Sequence, residues 1–473
     1  MSKVPGSTGH VILGDKSLDF GKCPLDFVER LSSQYKSPIF MTRLLLKPTV
    51  IVASNSAIRE LLYEKEDHFD RGLREQCLQL FGDNVLLVDG EDAQRFRNIL
   101  KPLLHPDCIL NYKEKALSVF HHWSNTLPTG QPIDMYKEFK QLGMNLTLRI
   151  FLDIDPEISS KLAEDILALS TTHWHGLISV PINVKVPLVL SSAYRRAMDA
   201  KEQLLTIISE KMDAQNAAFV EELRNHCDDV EFVQSHLLLF ISALIPKAVA
   251  SILSSFLASS PFWIEAYVAE RSVDGQEITS FSLYHIMMEV CRLWPPFVGG
   301  YRVANKDTTL GGYLIEKGRT VLYVCAPAHR EPDLFPRPDE FDPLRWTTCN
   351  AGDEDRMFTF GGGSRGCLGK NMILDILMVI ADAFMAKFDW DIVGSSPGIL
   401  GFSLSNSSSS GSSSPIKMKS LPITRPKAPL ELILTRKDGE NGRQDMEGSN
   451  RYCARGLCPQ MSWDDRDCGN ATS

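Results

Sequence analysis

The 473 residues carry 50 Lys and Arg against 59 Asp and Glu, a formal net charge of −9. That balance argues against a nucleic-acid binder, which needs a basic face. Hydrophobic content of 44% and charged content of 23% are ordinary for a globular protein, and the 11 cysteines are odd in number and scattered through apolar segments. Such usage suits reduced thiols on the cytosolic side rather than a secreted disulfide framework.

The chain opens on Val4-Pro5-Gly6-Ser7-Thr8-Gly9. No run of about 18 apolar residues precedes it, so no N-terminal transmembrane span is expected in this polypeptide. Gly90-Glu91-Asp92-Ala93-Gln94-Arg95-Phe96-Arg97 reads as a charged helix. His121-His122-Trp123 and His173-Trp174-His175 lack an acidic or cysteine partner nearby, so they read as structural rather than metal-binding. Residues 178–190 are apolar and broken by Pro181 and Pro187.

Residues 236–258 form the only long apolar run. It could span a bilayer by length, but Pro246 and Lys247 stand at its centre, where a charge is expensive. A long helix buried across a large domain is expected instead. Pro246 has no N–H, so the Ser242 carbonyl loses its helical partner and the helix should kink. Residues 255–282 look short of helical material.

Glu289 and Arg292 lie three apart, on one helical face, where carboxylate and guanidinium can pair. Pro295-Pro296 follows, and then short apolar runs at 301–304, 313–315 and 321–324, split by Gly, Asp and Lys, read as hairpin strands. Arg345 follows in Phe341-Asp342-Pro343-Leu344-Arg345-Trp346.

The densest signal is Phe360-Gly361-Gly362-Gly363-Ser364-Arg365-Gly366-Cys367-Leu368-Gly369. Leu368, Met372, Ile373, Ile376, Leu377, Ile380 and Phe384 keep helical spacing after it, which places Cys367 at a helix start. Helix N–H groups and the dipole there favour a thiolate. Glycines allow close approach of the backbone to a flat group, and Arg365 offers a charge-assisted contact to a carboxylate. These features read as a loop delivering a thiolate to a haem iron. A phosphate loop does not fit, because Ser364 and Asn371 stand where Gly and Ser or Thr are required.

Further on, 403–414 is a Ser-rich flexible insertion, 421–427 and 430–434 read as strands, and the chain turns polar from about Lys437. The expected organisation is one domain over 1–436, with 437–473 as a disordered tail. Cys453, Cys458 and Cys468 in that tail lack zinc-like pairing.

The Phe360–Gly369 loop fills every fixed position of the haem motif Phe-x-x-Gly-x-Arg-x-Cys-x-Gly, and the chain resembles the cytochrome P-450 superfamily there. Glu289 and Arg292 match its Glu-x-x-Arg motif, and Arg345 the third member of its buried ion triad. The resemblance implies a mainly α fold with a small β region around haem b, with Cys367 as the axial iron ligand. Phe360 and Gly361 belong to the cofactor loop. Arg365 and Arg97 would meet haem propionates, though Ala93 replaces the usual aromatic and Arg97 could be a solvated helix arginine. Arg302 falls near another propionate position, or is a strand-edge arginine.

The long apolar helix falls where the family's distal helix crosses the haem. The family's acid and alcohol positions are occupied by Lys247 and Ala248, with Ser251 as an alcohol in a slipped register. Altered dioxygen activation and proton relay through water both remain open. The spacing of 41 positions from Ala248 to Glu289 is shorter than usual, implying a trimmed region between them.

The family's chemistry is NADPH-driven insertion of one oxygen atom into a lipophilic molecule, here sterol-, retinoid- or fatty-acid-like. Electrons come from a partner reductase that docks near Arg95, Arg97 and Lys101, or those residues form a solvated basic face. A haem-thiolate isomerase or lyase acting on a hydroperoxide, and a haem-binding protein without turnover, are the alternatives. The opening residues resemble the hinge that follows the membrane helix of microsomal members. Either the chain is a soluble form or an upstream anchor segment is missing from it. Residues 178–190 resemble a region that touches the membrane surface, and the implied location is the cytosolic face of the endoplasmic reticulum.

Overall fold

A computed structural model describes residues 2–10, 14–72, 74–178, 192–214, 217–259, 261–271, 281–347, 353–393 and 417–437. The Ser-rich stretch 403–414, the tail from 438 and residues 179–190 of the apolar stretch lie outside the described residues.

Five strands form the main sheet: Ile39–Leu44 (β1), Lys47–Val52 (β2), Phe69–Arg71 (β3), Gly299–Ala304 (β4) and Thr320–Val324 (β5). Their order is β1-β2-β5-β4-β3, with only β2 and β5 running parallel. Val50, Ile51, Val52, Val321, Leu322 and Val324 are all buried. Consecutive buried β-branched residues mean that both faces of the central strands are covered. A Cβ on Gly299 would stand 1.7 Å from the Tyr323 carbonyl oxygen, so a side chain there would push β4 off β5.

The helical body is built around Gly90–Leu100 (α1), Pro106–Thr126 (α2), Met135–Phe151 (α3), Ser160–His175 (α4), Val230–Leu238 (α5), Ile245–Ser259 (α6), Leu283–Leu293 (α7) and Lys370–Lys387 (α8). Helix α1 opens with Glu91 and Asp92 and ends with Arg97, matching its dipole. Helix α3 starts where the Asp134 carboxylate accepts the N–H groups of Tyr136 and Lys137. Met372, Ile373, Ile376, Leu377, Ile380 and Phe384 of α8 are buried, as their spacing predicts. They share one core with apolar residues of α2, α3, α6 and α7.

The apolar run forms α5 and α6, joined by a π-helical turn at Leu239–Leu244. Most of its apolar window (82%) is buried inside the protein, which is the behaviour of a core helix. The expected disturbance at Pro246 therefore takes the form of a widened turn just before the proline. Gly143 lets α3 close on this point, since a Cβ there would meet the Pro246 carbonyl oxygen at 2.7 Å. The stretch expected to lack helix does not: α6 runs to Ser259, and Pro261–Arg271 is helical.

Candidate active site

Between the sheet, α1, the π-helical turn and the Cys367 loop lies a largely apolar cavity of about 410 Å³. Cys367 lines it, and the Cys367 N–H donates to the Phe360 carbonyl at 2.8 Å, closing the loop on itself. Helix α8 begins at Lys370 with Gly369 as its cap, so the thiol sits just ahead of the helix. Burial pushes the Cys367 thiol up, while the Gly369 N–H and the charges of Arg97 and Lys370 pull it down. Burial wins in the protein alone, so the helix start does not by itself make the thiolate. A cation at the sulfur would reverse that balance.

The loop glycines divide their work. Gly361 lines the cavity with φ of +73°, a conformation that favours glycine. Gly362 and Gly363 instead admit neighbouring protein: a Cβ would lie 2.6 Å from the Tyr63 ring and 2.0 Å from the Leu62 carbonyl oxygen, respectively. Two of the three thus seat the loop on the segment before β3.

Four guanidiniums wall one side of the cavity: Arg71, Arg97, Arg302 and Arg365. Arg97 donates to the Gly366 carbonyl at 2.9 Å, so it reaches across from α1 to the cysteine loop. Arg302 donates to the Tyr301 carbonyl and lies over the Tyr323 ring. Arg365 donates to the Phe69 carbonyl at 2.6 Å and lies 3.4 Å from Glu66 and 3.3 Å from Asp89. Arg71 escaped the sequence reading. It faces Arg302 in the β3–β4 register, and its Nε is buried without a hydrogen-bond partner. Burial, Arg302 and Arg365 lower its pKa to about 10.

Like charges directly opposite each other across a strand pair are destabilising. Four arginines facing Glu66 and Asp89 therefore leave positive charge to be met by an anion. A flat apolar group with two carboxylates and a metal that takes a thiolate satisfies every wall of this cavity. The residues present fit a haem.

Behind the loop, Glu289 is buried and fully engaged. It accepts from Arg292 Nε and Nη2 at 2.8 Å each, Arg345 Nε at 3.0 Å, Trp346 Nε1 at 3.0 Å and the Asp342 N–H at 2.9 Å. Arg292 also donates to the carbonyls of His329, Pro338 and Glu340. His329 extends this network to the cysteine loop. Its Nε2 accepts from the Phe358 N–H at 2.8 Å, which leaves Nδ1–H facing the Arg292 carbonyl at 3.2 Å.

On the opposite wall the π-helical turn and α6 contribute Leu239, Phe240, Ala243, Ile245, Ala248 and Ile252. Ala248 thus faces the cavity, but Lys247 and Ser251 do not line it. Lys247 turns toward α4, where its ammonium donates to the Ser242 carbonyl and to Ser170 Oγ and lies over the Trp174 ring. Ser251 Oγ is buried with no hydrogen-bond partner among the described residues. His173 is held by Ser242 Oγ and the Leu80 carbonyl. Arg95 lies over Phe96 and is exposed, as is Lys101, whereas Arg97 is turned inward.

The sequence model of the family described as "Cytochrome P450" matches residues 283–403, which hold both the Glu289 network and the cysteine loop. Cytochrome P450 26A1 of Xenopus laevis is 26% identical over 444 residues, 84% of this chain and 86% of that protein. Beta-amyrin 6-beta-monooxygenase of Solanum lycopersicum is 25% identical over 411 residues, 79% of this chain and 84% of that protein. Among solved structures, the retinoic acid-bound cyanobacterial CYP120A1 has a TM-score of 0.76 at 23% identity, covering 92% of this chain and 100% of that one. The thiol loop, the buried Glu289 ion network and the helical architecture agree with these similarities, and together they support the cytochrome P-450 superfamily and an oxidoreductase.

Proposed function

We propose that this protein is a haem-thiolate monooxygenase that inserts one atom of dioxygen into a lipophilic small molecule of sterol, retinoid or fatty-acid type. The observation that carries this reading is Cys367 on the floor of an apolar cavity that has guanidiniums on one wall and a hydrocarbon-lined helix on the other. Cys367 would ligate the iron of haem b, and Arg71, Arg97, Arg302 and Arg365 would hold its propionates. The chemistry supplied by the haem is reductive splitting of dioxygen, which a thiolate ligand favours. Two electrons from NADPH, delivered by a reductase, send the second oxygen atom out as water. Leu239, Phe240 and Phe297 offer a substrate apolar contact and exclude water from it. A single haem domain over 1–436, working at the cytosolic face of the endoplasmic reticulum, fits this role.

One observation favours a second reading. The residues that α6 presents to the cavity are all hydrocarbon, with no acid or alcohol among them. Rearrangement of a hydroperoxide by a haem-thiolate isomerase needs no such relay. Purified protein given NADPH, reductase and candidate lipids should consume dioxygen and NADPH and yield a hydroxylated product. Fast conversion of a lipid hydroperoxide without NADPH would transfer the assignment to the isomerase.

A further inference from the structure

We propose that Lys247 is a positioning residue: it makes the hydrogen bond that Pro246 cannot, and pins the cavity-lining π-helical turn to α4. This rests on the reading of the cavity as the catalytic pocket. Pro246 has no N–H to offer one turn back, which orphans Ser242 in α-helical register and Ile241 in π-helical register. Both carbonyls are met by side chains instead. Lys247 Nζ donates to the Ser242 carbonyl, and Ser170 Oγ of α4 lies 3.4 Å from the carbonyls of Ile241 and Ser242. Lys247 also donates to Ser170 Oγ at 3.2 Å, and the Trp174 ring covers the ammonium at 5.2 Å.

The pin extends further. Ser242 Oγ pairs with His173 Nδ1 at 2.5 Å, and His173 Nε2 donates to the Leu80 carbonyl at 2.9 Å. Three pieces of the cavity wall are joined this way: the π-helical turn through Ala243, α4 through Trp174, and the Arg74–Phe81 helix through Phe81. A proton donor to the cavity would have to face it. Lys247 faces the other way.

Among the described residues, no carboxylate acts on this ammonium. The charged and titratable groups around it are Lys140 on α3, His173 and His175 on α4, and Arg425, which acts on Lys140 and His175 from the strand at Arg425–Pro426. Helices α7 and α8 bring no charge to bear on it. Burial, and then Lys140, lower its pKa to about 7. The pin is therefore strongest when charged, below that pH, and weakens as the ammonium becomes an amine.

Hydrogen exchange on the full-length, haem-loaded protein tests this, read at peptides covering residues 239–247 and corrected for intrinsic rates. Lys247→Met should exchange there on the order of tenfold faster, as a local opening loses a bond. Lys247→Arg should stay slow. Adding Pro246→Ala to Lys247→Met returns a backbone N–H to the turn and should restore slow exchange. Unchanged exchange in Lys247→Met, or no rescue in the double variant, overturns the proposal. Should Lys247→Met fail to fold, the wild type and Pro246→Ala decide between them. Wild-type protection should fall with a midpoint near pH 7, and Pro246→Ala should flatten that profile; equal profiles overturn the pin. These readouts need no substrate, so a failed monooxygenase assay with intact rescue would sink the catalytic reading and leave the pin standing.

Discussion

Arg71 and Arg302 stand directly opposite each other across the antiparallel β3–β4 pair, two guanidiniums on one wall of the Cys367 cavity. In protein without cofactor this contact is repulsive, on the scale of ~0.2–1 kcal/mol for a cross-strand pair. With a dicarboxylate bound it becomes a grip.

The first prediction is a reversal of sign. Arg71→Gln should raise the melting temperature of the haem-free protein and lower haem affinity in the same variant. Titration of apoprotein with haem, alongside thermal melts of both forms, reads the two effects separately. Destabilisation of both forms would mean that Arg71 supports the fold rather than an anion.

Cys367→Ala should abolish the red-shifted Soret band of the reduced, carbon monoxide-bound protein while leaving the helical content intact. Cys367 lines the cavity and does not belong to the buried apolar core, so its loss should leave the fold in place. A surviving thiolate spectrum would require another cysteine. Cys77 and Cys325 also line the cavity, and burial holds both thiols up at about 12.

Glu289→Ala should yield little folded protein. Breaking a buried ion network by removing one partner costs about 3–5 kcal/mol, a large share of ordinary stability. Here the loss leaves Arg292 Nε and Trp346 Nε1 without their acceptor. His329→Gln probes the extension of the network, because it loosens Phe358 without touching an ion pair. That variant should fold but retain haem poorly. Normal haem retention would separate the network from the loop.

The legible parts of this site are the contiguous ones. The loop from Phe360 to Gly369 and the Glu289–Arg292 pair are written within one or two helical turns, so spacing alone exposes them. Arg71 is not, because its meaning depends on the register with Arg302, far away in the chain. Lys247 was legible as a buried charge in an apolar run but not in its direction. Each residue turns a helix by about 100°, so the neighbour of the cavity-facing Ala248 looks elsewhere. The widened turn before Pro246 also shifts any register carried in from upstream. The helix at Pro261–Arg271 was missed because Gly and charged residues just after it dilute its apolar spacing.

Acid should unfold this protein early. His173, His236 and His329 are buried and neutral, with pKa values lowered by burial to about 4, 4 and 3. The unfolded chain takes up their protons near pH 6.5, so their stability is full above that pH and is lost as pH falls toward the folded values. Each contributes a slope of about 1.4 kcal/mol per pH unit, so the three together approach about 4. Urea midpoints at pH 5, 6 and 7 measure it. A slope equivalent to one proton or fewer would mean that these rings are accessible in the folded state.

The last prediction concerns coupling of NADPH to product. Ala248 faces the cavity and Lys247 does not, so the two positions are not interchangeable sites for a restored relay. Ala248→Thr places a hydroxyl on the cavity wall and should lower the fraction of NADPH lost as hydrogen peroxide. General acid–base assistance typically contributes about 10²–10⁴-fold, so even partial recovery is measurable. Lys247→Asp should not help. It would set a buried carboxylate against the Ser242 carbonyl, two acceptors with no proton between them, and remove the donor that turn relies on. Peroxide yield per NADPH, measured for wild type and both variants with one turned-over lipid, separates the cases. Improvement by Lys247→Asp alone would place that side chain in the cavity after all. Tight coupling in the unmodified protein would mean that ordered water already carries the proton past Ala248.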